Sequence, residues 1–135
     1  MIFKHASYVA ALFCGALLTV GIARADGWPA SVAGNWNVVG NQSTGILAIT
    51  QSPGSVCDPI HGTIFGTDTI ERFYCPGSGR IAFLRYNGNA TSPQQFWSGN
   101  LSVLISGQPL RIGGLFAVFN ASGGSLGEYN FSATK

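Results

Sequence analysis

The sequence predicts an all-β protein, an eight-stranded antiparallel up-and-down barrel held by one disulfide. Three observations support this fold class. Eight short β-type segments follow one another, turns rich in glycine and asparagine separate them, and no stretch with helical periodicity competes after residue 25. Eight antiparallel strands close a sheet into a barrel that is just wide enough to hold one small ligand.

The predicted strands are short and regularly spaced. They cover residues 35–39, 44–51, 60–66, 69–75, 80–87, 94–106, 110–120 and 124–134. The first begins at Gly34-Asn35-Trp36, where a tryptophan is expected to close one end of the barrel. The sixth alternates most clearly, because Trp97, Leu101, Val103 and Ile105 fall on one face with Gly99. A two-sheet sandwich would produce a similar alternation, so the pattern alone does not choose between the two architectures.

The connections carry residues that favour tight turns and positive φ angles. They are Gly40-Asn41, Ser52-Pro53-Gly54, Gly66-Thr67-Asp68, Pro76-Gly77-Ser78-Gly79, Tyr86-Asn87-Gly88-Asn89 and Ser122-Gly123-Gly124. Short connections at regular intervals favour a meander over a Greek key with long crossovers.

The first 25 residues have the pattern of a secretory signal peptide. An apolar run from Val9 to Ile22 precedes Ala23-Arg24-Ala25, a small-x-small cleavage motif. We therefore expect cleavage before Asp26, a single barrel domain over residues 26–135, and a secreted or periplasmic location.

Residues 26–135 carry five basic and five acidic side chains. This neutral balance provides no basic stripe for phosphates, so we expect neither nucleic acid nor a membrane surface as a partner. The chain is only 9% charged and 46% hydrophobic. Segments that are apolar on both faces, 45–49 and 115–119, add to this excess. We therefore expect a homo-oligomer, either a dimer or a tetramer, that covers part of the outer wall.

Cys57 and Cys75 are the two cysteines left in an exported chain, which predicts one disulfide between them. His61 lies three residues after Asp58 and is the one histidine of that domain. Two ligands do not make a catalytic metal site, which usually needs three. Glu71 and Glu128 could be named as the two carboxylates of a glycosidase, but so could any two acids in a small barrel. We expect no enzyme activity, no metal site and no cofactor.

Several short motifs resemble the avidin/streptavidin family. They are Gly34-Asn35-Trp36, Gly40-Asn41-Gln42-Ser43, Gln95-Phe96-Trp97-Ser98-Gly99, residues 111–119 and Tyr129-Asn130-Phe131-Ser132-Ala133-Thr134-Lys135. The likeness covers most of residues 26–135 in order and spacing. It implies an avidin-like barrel that binds a small molecule, such as biotin, in its interior without chemistry.

The resemblance also implies a set of ligand-binding residues. Ser43 matches a loop serine and Trp97 a strand-six tryptophan, while Asn37 or Asn41 takes the place of a first-strand asparagine. Phe116 or Leu115 stands where the family has a strand-seven tryptophan, and Asn130 stands near an expected aspartate. With these departures we expect weak binding of biotin or a related molecule. The alternative is a secreted interaction protein, such as a protease or hydrolase inhibitor, whose barrel is filled by Trp36, Phe83 and Phe116.

Overall fold

The structure is a computed structural model that describes residues 27–88 and 90–135. The predicted signal peptide and its cleavage site lie outside the described residues. Eight strands form the fold: β1 (Gly34–Gly40), β2 (Ser43–Gln51), β3 (Asp58–Ile64), β4 (Asp68–Cys75), β5 (Arg80–Tyr86), β6 (Gln95–Leu101), β7 (Arg111–Phe119) and β8 (Ser125–Thr134).

Each strand pairs antiparallel with the next, and β8 pairs with β1, so the sheet closes into an up-and-down barrel. The predicted fold class is confirmed, and closure excludes the two-sheet sandwich. No described residue belongs to a helix long and apolar enough to cross a membrane.

The predicted disulfide is also confirmed. Cys57 and Cys75 are bonded, with their Cα atoms 4.0 Å apart. Cys57 directly precedes β3 and Cys75 ends β4, so the bond joins the open ends of one hairpin. A disulfide of this kind indicates an oxidising compartment outside the cytosol.

Strand alternation sorts the side chains between the barrel interior and its outer wall. The buried core is apolar and includes side chains from every strand. Its largest members are Trp36, Trp97, Tyr74, Phe83, Leu47, Ile60, Ile64, Ile81 and Ile112.

The prediction of the sixth strand was wrong at its end. The strand stops at Leu101, whereas alternation had extended it to residue 106. The amide of Leu101 still extends the β5–β6 ladder to the carbonyl of Gly79, but that of Leu104 donates to the carbonyl of Gly27, so the chain has left the barrel ladder by Leu104. Val103 and Ile105 are exposed loop residues as a result.

The two ends of the barrel differ. The end formed by turns 41–42, 65–67 and 120–124, with residues 87–88 and 90–94, is called the mouth. The opposite end carries residues 27–33, loops 52–57, 76–79 and 102–110, and Lys135, and is called the closed end.

Candidate ligand-binding site

Residues 27–33 cover the closed end and are called the covering segment. The hydroxyl of Tyr74 donates to the carbonyl of Pro29 at 2.6 Å, and the indole N–H of Trp36 donates to the carbonyl of Val32 at 2.8 Å. The amide of Val32 donates in turn to Oε1 of Gln51 at 2.7 Å. Trp36 is fully buried, as expected for a residue that closes a barrel end. A ligand would therefore approach from the mouth.

The burial of Tyr74 has a measurable consequence. Removing its phenol from water disfavours the charged phenolate, and the nearby carboxylate of Asp58 disfavours it further. Together these effects raise the pKa of Tyr74 to about 12.

Below the mouth the barrel interior is filled by stacked aromatic rings. Trp97 lies between Phe83 and Phe116, with ring centroids 5.5 Å and 4.3 Å away and planes inclined by 14° and 10°. Phe131 meets the same indole edge-on at 4.8 Å. All four side chains are buried. In this arrangement the rings pack against one another, so their faces are not open to a ligand.

Glycines on the inner face of the barrel leave room for these rings, because a side chain there would meet them. A Cβ atom on Gly40 would lie 2.8 Å from the ring of Trp97, and one on Gly45 would lie 2.5 Å from the ring of Phe65. Phe65 belongs to the turn between β3 and β4 and has a φ of 53°. Its ring lies 6.3 Å from that of Trp97 and forms the upper layer of the packing.

A polar network lies directly above the rings. Arg85 donates from Nε to Oδ2 of Asp68 at 2.8 Å and from a terminal nitrogen to Oε1 of Gln95 at 3.0 Å. The indole N–H of Trp97 donates to the same Gln95 oxygen at 2.9 Å. The guanidinium carbon of Arg85 also lies 4.9 Å from the centre of the Phe65 ring. The network therefore joins the rim of the mouth to the ring stack.

A cavity of about 420 Å³ opens beside this network. It lies between two segments of the rim, residues 90–95 and 118–121, and Gln95 belongs to both the cavity and the network. None of its lining residues is charged. Cavities of about 300–1,000 Å³ are typical for small molecules. A second cavity, of about 360 Å³, lies across β6, β7 and β8 nearer the closed end.

The residues implied by the family resemblance fall into three places. Trp97 and Phe116 lie together in the interior. Asn41 and Ser43 are exposed at the mouth, in or beside the turn between β1 and β2. Asn37 is exposed and adjacent to the buried Trp36, so it projects from the outer wall.

Asn130 also projects outward, because it precedes the buried Phe131. Its main-chain carbonyl accepts a hydrogen bond from the amide of Asn41 at 2.9 Å, so the two residues meet through the backbone. The structure thus brings Asn41, Ser43 and Asn130 near one rim but does not gather the predicted set around a single space.

The alternative acid–base residues are not brought together. Asp58 and His61 lie three residues apart on β3, so they project from opposite faces of the sheet. Asp58 accepts hydrogen bonds from the side chain of Gln51 at 2.6 Å and the amide of Gly54 at 2.7 Å. Within residues 27–88 and 90–135, no group of three or more His, Cys, Asp or Glu side chains is placed to hold a metal ion.

The two glutamates lie on different strands. Glu71 is on β4, where the hydroxyl of Tyr86 donates to its carboxylate at 2.9 Å. That hydrogen bond is the largest cause that lowers the pKa of Glu71, and Arg72 lowers it further. Glu128 lies on β8, across the barrel in strand order. The arrangement does not pair the two carboxylates.

Sequence reasoning missed Phe65, Asp68, Arg85 and Gln95. Only Asp68 and Arg85 carried a signal, since opposite charges near the mouth ends of neighbouring predicted strands are expected to pair. No protein-family model, no curated protein and no solved structure matches the chain.

Proposed function

We propose that this protein is an exported, non-catalytic binding protein that binds the uncharged polar group of a small ligand at the mouth of its barrel. The cavity of about 420 Å³ beside Gln95 carries this proposal. The closed end is covered and the interior is filled by aromatic rings, which leaves the mouth. The cavity there is large enough for a small ligand and is lined by both apolar and hydrogen-bonding groups.

The lining residues favour a particular ligand chemistry. Gln94, Ser92 and Thr91 offer amide and hydroxyl groups, while Val118 and Phe119 offer apolar surface. Arg85, which donates to the lining residue Gln95, is neutralised by its ion pair with Asp68. An uncharged group with both donors and acceptors fits this lining best, because it leaves no charge without a partner.

Biotin is the first ligand to test. Its ureido ring is an uncharged group of this type, and the resemblance to the avidin/streptavidin family points to it independently. Because Trp97 and Phe116 stack on each other, they are not free to enclose a ligand. We therefore expect a dissociation constant of about 1 μM or weaker, equivalent to a binding free energy no more favourable than about −8 kcal/mol.

Isothermal titration calorimetry with biotin tests the proposal directly, using wild-type protein and the variant Ala90→Trp. Ala90 is an exposed residue of the cavity lining, so an indole there should block the space. Ala30→Trp places the same side chain at an exposed position of the closed end and serves as the matched control.

Binding that is lost in Ala90→Trp and kept in Ala30→Trp would support the mouth site. Binding that survives in Ala90→Trp would contradict it. No heat at high micromolar biotin would remove biotin from consideration, and a thermal-shift screen of uncharged sugars and nucleosides on the same three proteins would then test the wider ligand class.

A second candidate function is a secreted interaction protein, such as a protease or hydrolase inhibitor. The filled interior favours it, because Trp36, Phe83 and Phe116 are all buried. Inhibition assays against secreted proteases and glycosidases would test this function. Inhibition that is lost when residues of turn 120–124 are replaced would support it, whereas no inhibition at micromolar protein would count against it.

We also propose that the barrel self-associates through its outer wall. Val39 and Ile46 are exposed on β1 and β2, and Phe96 and Leu115 are exposed on β6 and β7. Apolar side chains grouped on a wall are typical of interfaces. Light scattering should give a mass above that of one chain, and Ile46→Ser with Phe96→Ser should return it to a monomer.

A further inference from the structure

The closed end combines apolar and cationic side chains that are far apart in sequence. The apolar ones are exposed in the loop after β6, as Val103, Leu104 and Ile105, and in the covering segment, as Trp28. The amide of Leu104 donates to the carbonyl of Gly27 at 2.9 Å, and the indole N–H of Trp28 donates to the carbonyl of Leu101 at 3.1 Å. These bonds hold the loop and the covering segment side by side.

The exposure of this patch is large for apolar side chains. Trp28 is 39% exposed, Leu104 45% and Ile105 55%. Val56, in the loop between β2 and β3 at the same end, is 80% exposed. Together with Val103 these side chains form the closed-end patch. Tryptophan and aliphatic residues in this combination are typical of surfaces that rest in a membrane interface.

Positively charged side chains lie at the same end of the barrel. Arg80 begins β5 and Arg111 begins β7, both at the closed end, and both are exposed. Neither arginine pairs with a carboxylate in the part of the chain that the structure describes. Lys135 adds an ammonium group, which donates to the carbonyl of Ala33. Among the acidic residues of the described strands, Asp58 is the one that lies at the closed end.

The acids of the other strands lie elsewhere. Asp68 begins β4 at the mouth, Glu128 lies in the mouth half of β8, and Glu71 lies within β4. The neutral overall balance therefore conceals a separation of charge along the barrel axis. A balance counted from composition predicts no membrane partner, because it ignores this separation.

We infer that the closed end is a docking surface for an anionic lipid bilayer. The closed-end patch would enter the interface while Arg80 and Arg111 lie at the level of the anionic headgroups. A barrel docked in this way presents its mouth to water.

Vesicle binding by residues 26–135 tests the inference, since all eight strands and the core lie within that range. Sedimentation with vesicles of phosphatidylcholine containing phosphatidylglycerol is compared with sedimentation with phosphatidylcholine alone. Arg80→Gln with Arg111→Gln should reduce binding to anionic vesicles about 25-fold at low salt, or about fivefold for each charge. Raising the salt to physiological strength should weaken wild-type binding, because it screens the headgroup charge.

A matched pair of variants identifies the surface. Ile105 is 55% exposed at the closed end, and Leu126 is 57% exposed on β8 near the mouth. Ile105→Ser should lower the partition coefficient about fivefold, because about half of its apolar surface remains to be buried. Leu126→Ser should leave the coefficient unchanged. Equal losses in the two variants would overturn the inference.

Tryptophan fluorescence reports the orientation. Trp36 and Trp97 are fully buried, so Trp28 is the one tryptophan of the three that lipid can reach. Vesicles with brominated acyl chains should quench its emission on binding, and binding without quenching would overturn the inference. A second result would also overturn it: the protein does not bind anionic vesicles but forms a dimer, and Ile105→Ser dissociates that dimer. The closed-end patch would then bind a second copy of the chain.

Discussion

Replacing Phe116 by leucine tests whether the barrel interior is a packed core. Phe116 is 6% exposed, and its ring stacks on Trp97 with centroids 4.3 Å apart and planes inclined by 10°. It also meets the ring of Tyr129 at 5.4 Å. Leucine retains most of the buried apolar volume, so the substitution mainly removes these two aromatic contacts.

The magnitude follows from those contacts. An aromatic pair contributes about 0.5–1.5 kcal/mol beyond the area that it buries, so two pairs contribute about 1–3 kcal/mol. The small loss of volume adds less than about 1 kcal/mol. We therefore expect the free energy of unfolding to fall by about 2 kcal/mol and the melting temperature to fall by about 10 °C.

Urea unfolding followed by far-UV circular dichroism measures this change. Leu126→Ala serves as the control, because Leu126 is exposed and its truncation should change the stability by less than about 0.5 kcal/mol. If Phe116→Leu were as mild as the control, the ring stack would not be part of the core. The rings would then not close the barrel interior to a ligand.

Three further predictions concern other parts of the barrel. Because burial raises the pKa of Tyr74 to about 12 from its ordinary value of 10, the neutral phenol stabilises the fold below pH 10. That stability should be lost as the pH rises from 10 through 12, and Tyr74→Phe should remove this alkaline loss in pH-dependent thermal melts. Replacing Cys57 and Cys75 by serine should lower the free energy of unfolding by about 3 kcal/mol in urea titrations, because the bond closes a loop of 18 residues. Gly114→Ala should unfold at much lower urea than wild type, since its Cβ would lie 2.1 Å from a main-chain carbonyl oxygen, whereas Gly113→Ala should differ little because nothing lies within 4 Å; similar midpoints for the two would refute the register of β7.

The strands were predictable because their pattern is local. Alternation and turn residues placed all eight segments, and seven of them lie within about two residues of the observed strands. The sixth failed because Val103 and Ile105 continue the alternation that Trp97 and Leu101 begin. Periodicity does not reveal that the amide of Leu104 pairs with the carbonyl of Gly27 in the covering segment instead of continuing the ladder between β6 and its neighbours.

The candidate site was less predictable, for two different reasons. The outward direction of Asn37 follows from sequence alone, since its neighbour Trp36 must point inward and adjacent strand residues face opposite ways. The family resemblance places Asn37 in the ligand site without regard to this alternation. By contrast, the inward fold of Phe65 depends on the positive φ of a turn residue and on the gap left by Gly45, neither of which a local pattern specifies.

The two ends of the barrel make the two proposals separable. The mouth has an uncharged cavity beside a neutral Asp68–Arg85 pair. The closed end has exposed apolar side chains and two arginines that pair with no carboxylate among the described residues. Antiparallel strands carry these groups to opposite ends, so a change at one end has no direct contact with the other. Ala90→Trp should therefore leave vesicle binding intact, and Ile105→Ser should leave ligand binding intact. If one variant abolished both activities, a single shared surface would have to carry them, and an axial separation of ligand site and lipid surface would be wrong.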